Sequence, residues 1–147
     1  MIATVLSVIA IIVSIIVAIK ENRLQTDLNR INLESEYFND IYKEHLIYKI
    51  PKARGYITFD ASGKLIGTDK LIEELQQLRQ DSLYFHYNKR DFYNKLKEEI
   101  QTLEDYLVKS ADKQFVGEDY ENIFRYITEC INVIYKTISD GYLGKNK

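Results

Sequence analysis

MIATVLSVIAIIVSIIVAI, residues 1–19, stands at the start of the chain and contains no charged side chain. An α-helix rises about 1.5 Å per residue, so residues 2–19 would extend about 27 Å, close to the roughly 30 Å hydrocarbon core of a bilayer. The stretch lacks the basic leader and the small-residue cleavage site of a signal peptide. The sequence therefore predicts a retained transmembrane helix surrounded by membrane lipid.

Basic residues lie on one side of this predicted anchor. Lys20, Arg23 and Arg30 follow it closely, whereas only Met1 precedes the apolar run. The positive-inside rule then places the C-terminal part in the cytoplasm. The single cysteine, Cys130, fits a reducing compartment because it has no partner for an intramolecular disulfide. We expect a single-pass protein of the bacterial inner (plasma) membrane.

Length and charge limit what the rest of the chain can be. The 147 residues carry a formal net charge of −2, and every charged side chain follows residue 19. This balance gives no general basic character, so DNA is not an expected partner. We divide the chain into an anchor at residues 1–19, a helical stalk at residues 20–33 and one cytoplasmic domain at residues 34–147.

Small residues recur within the anchor at helical spacing. Their separations of four, three, four and four residues place them on one stripe: Ala3, Ser7, Ala10, Ser14 and Ala18. Such stripes let two membrane helices approach closely, and serine hydroxyls can bond across the contact. The stripe predicts association between copies, although small residues are also common in spans that do not associate.

The same spacing continues into the stalk as an apolar seam, which consists of Leu24, Leu28 and Ile31. Charged and amide residues fill the positions between these three. A seam of barely two heptads is too short to form a stable coiled coil alone, but a membrane anchor that holds copies parallel would support it. The alternative is that the seam packs against the protein's own globular domain.

The remaining pattern predicts an all-α fold, a cytoplasmic antiparallel helical bundle with a small β-hairpin near residues 56–66. Helical periodicity continues past residue 34 and should stop at Ile50, because Pro51 disfavours helical geometry in the residue before it. Gly141 is expected to cap the last helix. Short connections favour antiparallel neighbours. The helices are expected at residues 34–49, from Thr68 or Asp69 to about 84–88, at about 89–109 and at about 118–140.

No motif for catalysis or metal binding is found. His45, His86 and Cys130 lack the paired spacing of zinc ligands. Adjacent carboxylates point about 100° apart on a helix, which predicts solvated faces rather than acid/base pairs. These pairs are Glu73–Glu74, Glu98–Glu99 and Glu104–Asp105. We expect no enzyme, no catalytic residues, no metal and no cofactor, and we expect Cys130 to be an inert core thiol.

One cluster combines aromatic and cationic side chains in the way that nucleotide sites do. Aromatic rings can stack on a base while cations neutralise a phosphate, so this segment is the candidate site for a nucleotide or another anionic ligand. Its members are Tyr84, His86, Tyr87, Lys89, Arg90 and Tyr93. A second basic group, Lys49, Lys52 and Arg54, could join it or face anionic lipid. The alternative is that these Tyr and Lys side chains cover the core while their polar ends reach water.

Two functions follow from these features. The first is a non-enzymatic membrane-anchored protein that forms a homo-oligomer and presents its bundle to a cytoplasmic protein partner. The second is a membrane effector controlled by a nucleotide or other anionic signal, which forms a pore or disrupts the bilayer. The layout of one N-terminal span and a small cytoplasmic domain resembles that of many bacterial membrane proteins, including some encoded with anti-phage defence systems.

Overall fold

The computed structural model describes the backbone of residues 2–143 and the side chains of residues 14–143. The chain falls into two compact units, Met1–Tyr37 and Phe38–Lys147. Helices dominate both. The helices are α1 (Ile2–Ile41), a π-helix (Tyr42–Lys49), α2 (Ile50–Arg54), α3 (Thr68–Asp81), α4 (Leu83–Asn88), α5 (Arg90–Ala111) and α6 (Asp119–Tyr142), and the strands are β1 (Thr58–Phe59) and β2 (Leu65–Ile66).

The predicted hairpin is confirmed as a two-stranded antiparallel sheet. Thr58 pairs with Ile66, and Phe59 pairs with Leu65. One carboxylate oxygen of Asp60 accepts hydrogen bonds from the Ser62 backbone N–H, the Ser62 hydroxyl and the Lys64 backbone N–H. An aspartate that bonds the backbone two residues ahead favours a turn, so the turn chemistry of the sequence forms this hairpin.

The apolar stripes of α3, α5 and α6 form the centre of the bundle. Apolar residues three and four positions apart share one helix face, and here that face is the buried one. The helical-bundle architecture expected from the periodicity is thus confirmed. The apolar residues with no more than 1% exposure on these three helices are Leu71, Leu75, Leu78, Leu96, Ile100, Leu103, Leu107, Ile127, Ile134 and Ile138.

The prediction that helical structure stops at Ile50 is wrong. The helical run passes through an eight-residue π-helix and continues as α2, with Pro51 in the first turn of α2. Within the π-helix the backbone N–H of Ile50 donates to the carbonyl of His45, five residues earlier. A proline is compatible with a first helical turn because its ring fixes φ near the helical value.

The π-helix brings two stripes of buried residues to the same core. Phe38, Ile41 and His45 are buried at α-helical spacing, and a second stripe at the same spacing begins one residue later, at Leu46. A regular α-helix would turn the second stripe away from the first. The extra residue per turn of a π-helix brings both stripes to the same core.

Pro51 leaves one backbone acceptor of the π-helix without its normal donor. In the five-residue bonding pattern the carbonyl of Leu46 would accept from residue 51, which has no N–H. The hydroxyl of Tyr135 on α6 donates to this carbonyl instead. A buried carbonyl group costs free energy when it has no hydrogen-bond donor. The Tyr135 hydroxyl therefore replaces the hydrogen bond that Pro51 cannot donate.

The prediction that Gly141 caps the last helix is also wrong. Helix α6 runs through Gly141 to Tyr142, and Gly141 is buried. A Cβ at this position would lie 2.6 Å from the Phe92 ring and 3.3 Å from the Phe38 ring. The glycine is needed because two aromatic rings pack against the backbone, and not because the chain turns there.

Among the residues that the structure describes, no helix is both long enough and apolar enough to cross a membrane. The larger part of the predicted anchor, residues 1–13, lies outside the described side chains.

Candidate functional site

The apolar seam of the predicted stalk is a solvent-exposed stripe of α1. Leu24 is 61% exposed, Leu28 is 49% exposed and Ile31 is 57% exposed. Every described side chain from residue 14 to residue 33 is exposed in the single chain. Large apolar side chains at three-four spacing without a covering element are typical of a helix face that binds another helix.

Only the end of the small-residue stripe can be placed. Ala3, Ser7 and Ala10 lie outside the described side chains. Ser14 and Ala18 are exposed on α1, four residues apart. Their spacing puts these two residues on one face of the helix. Association of membrane helices along the whole stripe stays a prediction.

The aromatic part of the predicted ligand cluster is divided between the core and the surface. Tyr93 is buried, Tyr84 is half-buried against the core, and Tyr87 is 85% exposed. The His86 ring lies between two tyrosines, with centroids 5.1 Å from both the Tyr87 and the Tyr93 ring. The Nδ1 atom of His86 is buried and has no hydrogen-bond partner. The Nδ1 atom of His86 is therefore a buried polar atom of this cluster whose hydrogen-bonding capacity is unused.

The cations of the cluster have different surroundings. The Lys89 Nζ atom lies 4.7 Å from the centroid of the Phe38 ring and donates to the Gly141 carbonyl over 3.5 Å. A lysine at the C-terminal end of a helix interacts favourably with the last carbonyl groups. Lys89 thus fixes the end of α6, whereas Arg90 is exposed at the start of α5.

The second basic group is likewise spread over separate contacts. Lys49 forms an ion pair with Glu44 over 2.7 Å, which lowers the pKa of Glu44 and raises the pKa of Lys49 through their hydrogen bond. The Arg54 guanidinium lies 5.0 Å from the centroid of the Phe124 ring. Lys52 is exposed. The Lys49 contact joins residues five apart, the spacing that a π-helix brings to one face.

A polar pair that sequence reasoning missed, between a buried histidine and an exposed aspartate, lies beside the π-helix. The His45 side chain is 2% exposed, and its Nε2 atom lies 2.8 Å from a carboxylate oxygen of Asp81 on α3. The Nδ1 atom of His45 is buried without a hydrogen-bond partner. The two residues are 36 positions apart, so no local motif shows the pair. The one signal in the sequence is that His45 stands where the two buried stripes meet.

The adjacent carboxylates do not all form solvated faces, so that prediction is wrong for one member of each pair. Glu104 is buried and pairs with Arg79 over 3.2 Å, while Glu99 is half-buried and accepts a 2.8 Å hydrogen bond from the Thr137 hydroxyl. Glu74 is half-buried as well. Burial raises the pKa of Glu99 and of Glu104 because it disfavours the charged form. The 100° angle between neighbours turns one carboxylate inward and leaves the other in solvent.

Cys130 is the single thiol of the chain. Cys130 is half-buried against the core, and burial raises the pKa of its thiol. A raised pKa lowers the thiolate fraction and hence the reactivity. No three His, Cys, Asp or Glu side chains form a metal-binding group within residues 14–143.

Comparisons of the chain with protein-family models, with curated proteins and with solved structures give no match.

Proposed function

We propose that the chain is a single-pass, non-enzymatic protein of the plasma membrane that self-associates along α1 and presents its cytoplasmic helical bundle to a protein partner. The observation that carries this proposal is the exposed seam of Leu24, Leu28 and Ile31. The seam follows a charge-free run of nineteen residues, so the face that needs covering stands next to the segment that would enter the membrane.

The exposed part of that run supports lipid as its surroundings. Ile15, Ile16, Val17 and Ile19 are between 47% and 59% exposed. Four such neighbours point in different directions around a helix, and a helix that is apolar on every side is typical of a membrane span.

The seam and the anchor are needed together. Covering one Leu or Ile side chain fully contributes about 1.5–3 kcal/mol, and these three are already about half covered by their own helix. Association in solution costs about 4–15 kcal/mol in lost translational and rotational freedom. The six seam residues of a pair then contribute about 4.5–9 kcal/mol, which is within the range of that cost and leaves little net affinity. An anchor that confines the copies to one membrane, with a common direction, lowers the cost.

A groove at the end of α6 offers a surface on the bundle for a protein partner. It has a volume of about 340 Å³ and is lined mainly by apolar side chains. Tyr42, Tyr142 and Leu143 at its edge are each about half exposed. Exposed aromatic and aliphatic side chains around a recess are common at protein interfaces.

The proposal is tested with two differently tagged full-length copies expressed in one bacterial cell. Both should stay in the membrane pellet after an alkaline carbonate wash, and one tag should co-purify the other after mild solubilisation. The double substitution Leu24→Gln and Leu28→Gln should reduce co-purification several-fold, while Arg23→Gln on another face should not. Release by the wash would contradict the anchor, and failure to co-purify would contradict self-association.

A second candidate function, a membrane effector controlled by an anionic signal, has support from His86. Its unpartnered Nδ1 atom is buried, and its ring lies 5.1 Å from the ring of the exposed Tyr87, so these two side chains could form part of a ligand site. Binding of a nucleotide should raise the melting temperature of the full-length protein, and His86→Phe should abolish the increase. Toxicity on overexpression that is lost with Ser14→Leu would favour this candidate. Harmless expression of the wild type would count against it.

A further inference from the structure

The heptad pattern of the seam, extended toward the anchor, contains one charged position, Glu21. At heptad spacing Ser14, Glu21 and Leu28 occupy the positions called a, and Val17, Leu24 and Ile31 occupy those called d. Helix α1 covers this whole range without interruption, and Glu21 is exposed. A single polar residue at an a position lowers the stability of a coiled coil but specifies which register and orientation the helices adopt.

No cation of its own helix neutralises Glu21. Side chains meet on a helix at spacings of three and four, and those positions around Glu21 carry Val17, Ala18, Leu24 and Gln25. Lys20 is the adjacent residue and points about 100° away. The usual helix spacings therefore offer Glu21 no ion pair within α1.

The two possible orientations of a second α1 place different side chains beside Glu21. In a parallel, in-register pair, an a residue packs into a hole formed by four residues of the other helix, one of which is the preceding g residue. Here that g residue is Lys20. In an antiparallel pair the flanking positions are the e positions, occupied by Ala18, Gln25 and Asn32, and none of these is charged.

On this charge complementarity we infer that a second copy of the chain covers the seam in a parallel, in-register arrangement, in which Glu21 of each copy lies beside Lys20 of the other. The inference rests on the proposed self-association, in which a shared membrane gives the copies a common direction, and adds the register of the pair. The two Lys20–Glu21 contacts offset the cost of bringing two Glu21 carboxylates together, which would otherwise weaken the pair. These two ion pairs form only in the parallel, in-register arrangement, so they disfavour antiparallel and shifted arrangements of the helices.

Cysteine cross-linking of the full-length protein in membranes tests direction and register. In a Cys130→Ser background, Leu24→Cys and Ile31→Cys are made separately, with Arg23→Cys on another face as the matched control. Mild oxidation should link both seam variants into a dimer of twice 17.3 kDa, and the control should stay largely unlinked. An antiparallel pair brings only one position to its own copy, so linking at just one of the two seam positions would overturn the inference.

A charge exchange tests the role of Lys20 and Glu21. Lys20→Glu and Glu21→Lys should each weaken association of the tagged copies about fivefold or more at low salt, because each places like charges together. The double variant, which exchanges the two charges, should restore association to within about twofold. Arg23→Glu changes the net charge as Lys20→Glu does, but lies outside the seam and should have little effect.

The outcomes separate this inference from the proposed function. Cross-links at both seam positions together with rescue by the double variant support the parallel pair. If the wild type co-purifies but neither seam position cross-links and the double charge variant gives no rescue, the inference is overturned. The copies then associate through another surface. Absence of co-purification in the wild type overturns both. Except for Cys130, which is half-buried, the substituted side chains are exposed in the single chain, so circular dichroism should show unchanged helix content.

Discussion

Two stripes in this molecule have the same sequence pattern and opposite surroundings. On α6, Ile123, Ile127, Ile131 and Ile134 recur at three-four spacing and are at most 8% exposed. On α1, the seam of Leu24, Leu28 and Ile31 has the same spacing and is 49–61% exposed. The pattern shows that a helix face needs covering. It does not show whether the cover comes from the same chain or from another.

The largest contrast is expected between truncations on the two stripes. Ile127→Ala should lower the free energy of unfolding by about 2–5 kcal/mol, because it leaves a cavity at a fully buried position. Leu28→Ala should change the free energy of unfolding of the bundle by less than about 0.5 kcal/mol, since Leu28 lies outside the buried core. Denaturant unfolding of both variants in mild detergent, monitored by aromatic fluorescence of the bundle, measures the difference. Equal losses would contradict the division into a covered and an uncovered stripe.

Gly141→Ala sharpens the contrast within α6. Alanine at an ordinary helix position is favoured over glycine by about 1 kcal/mol. At Gly141 the new methyl group would meet the Phe92 ring at 2.6 Å, so we expect a net destabilisation of about 1–2 kcal/mol.

The matched control for this prediction is Asn132→Ala on an exposed position of α6, which should stabilise slightly. Thermal unfolding of the two variants is the measurement. A melting temperature for Gly141→Ala at or above that of the wild type would show that the aromatic rings do not press on this position.

Tyr135→Phe tests how tightly the π-helix is held by α6. It removes the hydroxyl that bonds the Leu46 carbonyl and should cost about 1 kcal/mol, because that carbonyl loses its donor. Amide hydrogen exchange in residues 42–50 should increase, whereas Tyr87→Phe, at an 85% exposed position, should leave it unchanged. Unchanged exchange in Tyr135→Phe would indicate that the π-helix does not need this bond.

The smallest effect is expected at Glu99, a charge on a covered face. Because burial raises its pKa in the folded state, its contribution to stability is fully present below the unfolded pKa and is lost as pH rises through the folded pKa. Glu99→Gln keeps an acceptor for the Thr137 hydroxyl and removes the charge. The variant should therefore gain about half a kcal/mol over the wild type at pH 7 and lose this advantage near pH 4.5.

The control for Glu99→Gln is Glu98→Gln, because Glu98 is the exposed neighbour in the sequence. Its difference from the wild type should not shrink as pH falls from 7 to 4.5. Unfolding curves at several pH values measure both variants. An advantage of Glu99→Gln that grows toward low pH would have the wrong sign for a buried carboxylate.

The features that the sequence predicted well depend on local chemistry. The inner faces of α3, α5 and α6 follow from periodicity, and the hairpin follows from the turn at Asp60 and Ser62. Pro51 was misjudged because the rule disfavours helical geometry before a proline without forbidding it, and Ile50 adopts helical angles of φ −63° and ψ −47°. The shift between the stripes that end at His45 and begin at Leu46 is visible in the sequence and would have indicated the extra residue.

The features that could not be predicted depend on residues far apart in the chain. His45 meets Asp81 across 36 positions, and Lys89 reaches Gly141 across 52 positions. Composition marked Lys89 as a candidate ligand residue, yet the folded chain places it against the end of α6 and the Phe38 ring. No spacing rule within one helix could reveal either contact.

The central claim is that a second copy covers the seam of α1, and the mass of the full-length protein in mild detergent tests it most directly. Light scattering coupled to chromatography, corrected for bound detergent, should give at least twice the 17.3 kDa of one chain. The Leu24→Gln, Leu28→Gln double variant should shift toward 17.3 kDa, and Arg23→Gln should not. A wild-type mass of one chain at all concentrations would contradict the account.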